Sequence, residues 1–164
     1  MSPFDTLSTL AQLSIALAGF SSVTVVFRRS GAQGAWLQED VFRFKLMLRF
    51  SLLAGLLAMI PAVASNGAAA ANAFPPALNV LSAVTVAVVF ILARREGSGL
   101  ARRLDRGVFA LNLASIAAAV GLQLLGALRV VDGASAYIAG VAILASIAGL
   151  MFYRLTTIPL DEGR

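Results

Sequence analysis

The residue types that usually carry chemistry are scarce in this chain, and those present are badly placed for it. Its 164 residues include no His and no Cys. That removes the commonest general base and the imidazole and thiolate ligands of a zinc site. The eight acids are Asp5, Glu39, Asp40, Glu96, Asp105, Asp132, Asp161 and Glu162. All lie at the ends of apolar stretches or in the gaps between them, so no carboxylate stands in mid-stretch to relay a proton. Lys45, the one lysine, sits near the edge of its stretch, which argues against a buried Schiff base. No phosphate-binding glycine loop, dinucleotide fingerprint or zinc spacing occurs. The sequence therefore predicts a protein that is not an enzyme, with no catalytic residue, metal or cofactor.

Two polar sets remain. Lys45 and Arg49 are four residues apart and share a helix face. Arg49 lies six residues past Arg43, about 9 Å deeper along a helix, among Leu46, Met47, Leu48, Phe50 and Leu52. An arginine so placed either snorkels back to head groups or faces inward to hold an anion, a lipid phosphate or a carboxylate. The pair is the candidate site for an anionic lipid or small anion. The second set is Gln12, Asn112 and Gln123, candidate polar residues of a bundle interior. Such amides bond across helix interfaces for about 0.6–2 kcal/mol each, or else line a hydrated path. Packing is the favoured reading, because a continuous path shows more polar residues per turn.

Both sets are carried by five apolar stretches, at about 4–27, 40–64, 75–94, 108–129 and 134–155. Hydrophobic residues make up 59% of the chain and charged ones 13%, where a soluble domain has about 25% charged. A hydrocarbon core about 30 Å thick is crossed by about 20 apolar residues. The expected fold is all-α: one transmembrane domain over residues 1–164, built as a bundle of five membrane-spanning helices. If the stretches cross in turn, twelve of the thirteen basic residues fall on one side and only Arg129 on the other. Positive charge stays on the cytoplasmic side, so the N-terminus is expected outside and the C-terminus inside. The net charge of +5 then reflects topology and an affinity for anionic lipids at the cytoplasmic face. It does not indicate nucleic acid, for which no binding module is present.

Local signals place the ends. Ser2, Pro3 and Asp5 read as a helix start with Ser as cap, Pro in the first turn and Asp three residues later. No Lys or Arg precedes the first stretch, and its apolar run is too long for a signal peptide, so the N-terminus is expected to be retained. Arg28, Arg29, Ser30 and Gly31 should stop the first helix, and Trp36 suits head-group depth. Glu39 and Arg43 can pair across one turn. Pro61 is expected to kink or end the second helix, and Asp132-Gly133 to make a tight turn. An uncharged loop follows Ser65-Asn66-Gly67, residues 94–107 form a polar connector, and the tail with Pro159 is too short to fold alone.

Small residues mark the faces expected to pack. On the first helix these are Ser8, Gln12, Gly19 and Ser22. On the fourth they are Asn112, Ser115, Ala119, Gln123 and Gly126. On the fifth they are the pairs Ala136/Gly140, Ala142/Ser146 and Ala145/Gly149. Val86, Val88, Val89, Phe90 and Ile91 suggest an exposed third helix. The first, fourth and fifth helices are thus expected at the centre.

Leu17-Ala18-Gly19-Phe20-Ser21-Ser22, running into Val25-Val26-Phe27-Arg28-Arg29, resembles the opening of small multi-pass membrane proteins of bacteria. The resemblance covers about an eighth of the chain. It implies a bacterial inner membrane and brings no activity or site with it; twelve Arg against one Lys agree with a GC-rich genome. The expected function is a non-enzymatic, homo-oligomeric channel or permeation subunit. The alternative is a scaffold or accessory subunit of a larger membrane complex. Its partners would be the bilayer, further copies of itself or other membrane proteins. Five crossings do not divide into two inverted halves, which argues against single-chain alternating access.

Overall fold

A computed structural model describes residues 2–31, 38–64, 74–96 and 106–157. They form five helices: α1 (Pro3–Gly31), α2 (Gln38–Ala64), α3 (Pro76–Glu96), α4 (Arg106–Ala127) and α5 (Gly133–Thr157). Each contains a segment long and apolar enough to cross a membrane, which suggests a multi-pass membrane protein. Trp36, the turn at 65–67, the connector at 97–105 and the tail from 158 lie outside the described residues. So does the Glu39 side chain, expected to pair with Arg43.

Capping sets the helix ends: α1, α3 and α5 run past the ends of their apolar stretches, while α4 stops at Ala127, two residues short of the expected 129. At the start of α1 the Ser2 N–H donates to Asp5 Oδ2 (2.9 Å) and the Asp5 N–H donates to Ser2 Oγ (3.2 Å). This reciprocal box satisfies two otherwise orphaned groups. α1 continues to Gly31, beyond the expected end at 27, because hydropathy marks apolar length while the helix ladder needs only backbone partners. Between α4 and α5, the Arg129 N–H bonds to Gly126 O (3.1 Å) and the Val130 N–H to Leu125 O (3.0 Å), with Arg129 at φ 57°. That is a Schellman ending with arginine where glycine is usual. Asp132 then caps α5: its Oδ2 accepts from the Ser135 N–H (2.8 Å) and the Ser135 hydroxyl (2.7 Å).

Successive helices run in opposite directions. Phe4, Phe74 and Tyr137 stack at one end, with ring centroids 6.1 and 5.8 Å apart, which brings the starts of α1, α3 and α5 together. The far end is marked by Arg49 of α2 against Glu96 of α3. α5 packs against all four other helices, while α2 and α3 touch each other little. Within the membrane-length segments, 50% of α5 and 44% of α2 are buried, against 28% of α1 and 22% of α4. The centre is therefore α5 and α2, not α1, α4 and α5 as expected.

The correction has a specific cause on α1. Ser8, Gln12, Gly19 and Ser22 are exposed, and the packed stripe is Leu7, Ala11, Ser14, Ala18 and Ser21, one residue earlier. Both stripes have helical spacing. The packed stripe is the one α2 covers: Gly55 lies against Ser14 and the Ala11 carbonyl, and a Cβ built there would stand in ordinary contact, 3.7 Å from Ser14 Cβ. On α4 the expected Ala119, Gln123 and Gly126 are buried, with Asn112 and Ser115 half-buried. On α5, Ala136, Gly140 and Ala145 are buried, Ala142 and Gly149 half-buried and Ser146 exposed. On α3, Val88 and Ile91 face outward as expected, but Val86 is fully buried.

Pro61 neither ends α2 nor leaves a polar gap in it, since the helix runs on to Ala64. Proline has no N–H, so the carbonyl four residues earlier, on Leu57, loses its helical donor. The Tyr137 hydroxyl of α5 donates to that carbonyl at 2.6 Å, and Tyr137 is fully buried. A tyrosine from a neighbouring helix thus replaces the missing backbone bond.

Tyr137→Phe orphans the Leu57 carbonyl and should cost about 1 kcal/mol, at most about 2. In a Pro61→Ala background the alanine's own N–H supplies the helical bond, so the same tyrosine substitution should cost markedly less. Unfolding of the four proteins of this cycle in detergent measures the coupling, and equal costs in both backgrounds would refute it.

Asp132→Ala removes a helix cap worth about 1 kcal/mol. The bonds from Ser135 hold the Asp132 carboxyl below its ordinary value. Its ionic contribution is therefore present at neutral pH and fades as pH falls below about 4. The stability gap between native protein and Asp132→Ala should narrow in acid, and a gap that widened there would contradict the assignment.

Candidate functional site

At the Glu96 end of the bundle, α2 brings Lys45 and Arg49 to the seam with α3. Arg49 meets Glu96 through both arms: Nη1 to Oε2 at 2.8 Å, and Nη2 donating to Oε1 at 3.0 Å. The fork geometry of guanidinium and carboxylate favours this two-bond contact. Lys45 is exposed, and its charge acts on Glu96 from nearby. Along the second helix the sequence offers Arg49 no carboxylate beyond Glu39 and Asp40, which leaves an acid of the 94–107 connector as the alternative partner. Glu96 supplies one because α3 extends two residues past its expected end at 94. The ion pair ties two helices that otherwise touch little. Arg49 and Glu96 are 39% and 51% exposed, so the pair is open to the surroundings of the bundle.

The second set does not assemble as one path. Gln123 is fully buried, and its Nε2 donates to Ser82 Oγ of α3 at 2.8 Å. Gly140 of α5 faces this amide, and a Cβ there would stand 2.8 Å from Gln123 Cδ. One turn away Asn79 is also fully buried, and its Nδ2 donates to Gly133 O at 3.2 Å. Gly126 admits the close approach of α5, since a Cβ there would lie 2.6 Å from Ala136 Cβ. Glycines at 126 and 140 are thus required by contact, and the layer Asn79–Ser82–Gln123 knits α3, α4 and α5 together.

Asn112 is half-buried. Its Oδ1, like Asn79 Oδ1 and Gln123 Oε1, has no hydrogen-bond partner. Asn112 lies eleven residues from Gln123, about 16 Å along α4. Between them the buried residues are apolar, Ala119 and Ile116, with Val86 buried on α3. The polar layer is thus separated from Asn112 by a packed apolar seam. Gln12 corrects the expectation outright: it lies on the exposed face of α1, because the inward stripe is one residue out of step.

Sequence reasoning missed Asn79, Ser82 and Tyr137, while a carboxylate partner for Arg49 was among its alternatives and Glu96, from the 94–107 connector, is that partner. One signal was available: Asn79 and Ser82 are three apart on α3, matching Gln123 and Gly126 three apart on α4. The Tyr137–Leu57 bond had a fainter one, since any buried helix proline leaves a carbonyl in need of a donor.

Glu96→Gln and Arg49→Gln should each lower the thermal unfolding midpoint only slightly, as expected for a half-exposed ion pair that solvent screens. The double variant should be no less stable than the weaker single one. Fully additive losses in a thermal unfolding cycle would show that the pair is not coupled.

No protein family, curated protein or solved structure matches this chain, so its functional reading rests on these residues alone.

Proposed function

We propose that the protein is a non-enzymatic, multi-pass protein of the bacterial cytoplasmic membrane, N-terminus outside and C-terminus inside, that acts as a homo-oligomeric permeation subunit. The observation that carries this reading is the closed interior. The α3–α4–α5 seam is filled by Val86, Ile116 and Ala119 between Asn112 and the Asn79–Ser82–Gln123 layer. A conduit would then run between protomers. Polar groups facing out of the bundle, above all Gln12, support assembly, since such groups need a partner in hydrocarbon. At the cytoplasmic end, Lys45 and Arg49 hold an anionic lipid head group or a small anion. Glu96 occupies the Arg49 fork, so Lys45 takes the larger share of that contact.

Reporter fusions after Arg29, Gly67, Gly99 and Gly133 should read in, out, in, out. A cytoplasmic signal at Gly67 or Gly133 would overturn the orientation. Sizing in mild detergent should give a defined homo-oligomer, and that oligomer should make liposomes permeable to ions. A stoichiometric hetero-partner without flux would establish the scaffold reading instead. A strict monomer that leaves liposomes tight would overturn the permeation reading.

A further inference from the structure

Gln12 stands near the middle of the α1 segment Pro3–Val23, nine residues from one end and eleven from the other. Its side chain is exposed and, among the described residues, its amide has no hydrogen-bond partner. A primary amide carries two donors and an acceptor, and in hydrocarbon it has no water to use. It therefore calls for a partner of its own kind. On the same face lie Ser8, Ile15, Gly19 and Ser22, all exposed. With Gln12 they follow steps of four, three, four and three, the spacing of a two-helix seam about 21 Å long. Gly19 has nothing of its own chain within 4 Å of where a Cβ would be. The absent side chain does nothing inside this bundle and leaves room for a backbone from outside.

We infer that α1 pairs with α1 of a second copy, parallel and in register, along Ser8, Gln12, Ile15, Gly19 and Ser22, with Gln12 bonded to its own counterpart. The second copy is the fitting occupant because an amide is complementary to itself. Copies inserted in one orientation also carry Gln12 at one depth, so a rotation axis along the membrane normal brings the two amides face to face. This inference rests on the assembly reading and specifies its interface.

The test uses a feature of the chain: it has no cysteine, so each single-Cys variant reports one position. Ser8→Cys, Ile15→Cys and Gly19→Cys should give disulfide-linked dimers on oxidation in membranes. Leu13→Cys and Phe20→Cys, exposed but roughly 120–140° around the helix, should not. Gln12→Leu should weaken dimerisation by roughly threefold to thirtyfold, while Gln12→Asn should retain part of it. Both changes lie on the exposed face, and an unchanged monomer melt checks that the bundle still folds. Cross-links strongest at Leu13 or Phe20, or a dimer indifferent to Gln12→Leu, would overturn this interface and leave assembly through another face standing. A monomer at all concentrations would overturn both.

Discussion

In an apolar surrounding every polar group must find its partner within the protein, and here that constraint shows most directly at Leu57. Pro61 strips the Leu57 carbonyl of its donor, and the Tyr137 hydroxyl restores the bond from another helix at 2.6 Å. A carbonyl left unpaired in an apolar surrounding costs about 1–2 kcal/mol, so the proline in α2 and the tyrosine in α5 are energetically coupled. Tyr137 also stacks on Phe74, which stacks on Phe4. One side chain therefore brings four helices to a common level: α1 and α3 through the rings, α2 through the carbonyl, and α5 as its own backbone.

Around that level α5 serves as the post on which two helix pairs are hung. α1 and α2 pack through Ala11, Ser14 and Ala18 against Ala54, Gly55 and Ala58, and α3 and α4 are joined by Gln123 and Ser82. α5 reaches both pairs because Gly126 and Gly140 lack the atoms that would hold it away. α2 and α3 are left side by side with little shared packing, and Arg49–Glu96 spans them at the other end. The two ends are thus closed by different physics. One uses buried aromatic packing and a hydrogen bond largely indifferent to salt. The other uses a half-exposed ion pair that salt and anionic head groups can contest.

The same packing logic leads to function. Close contact along the α3–α4–α5 seam consumes Gln123 and separates it from Asn112 by apolar side chains, so the polar residues inside serve cohesion. Gln12, by contrast, points away from the bundle. A polar group spent on no internal contact suggests an external one, and this connects the closed interior to assembly between copies.

Much of this protein was legible in its sequence because hydrophobic length, charge placement and helix caps are local. Five helices, their order and the Ser2–Asp5 box follow from neighbours within a few residues, whereas the turn expected at Asp132–Gly133 lies at Leu128–Val131, and Asp132 caps α5 instead. The burial of Gln123 and Gly126 was also readable, since glycine and amide together on one α4 stripe indicate a close polar contact. Which stripe of α1 turns inward was not. Ser8–Gln12–Gly19–Ser22 and Leu7–Ala11–Ser14–Ala18–Ser21 differ by a single residue's rotation, about 100°, and only packing against α2 and α5 selects between them. Arg49 finding Glu96, and Tyr137 finding Leu57, depend on positions 47 and 80 residues away. Those pairings arise when helices meet, because a side chain's partner across a bundle is set by rotation and register that no local pattern contains.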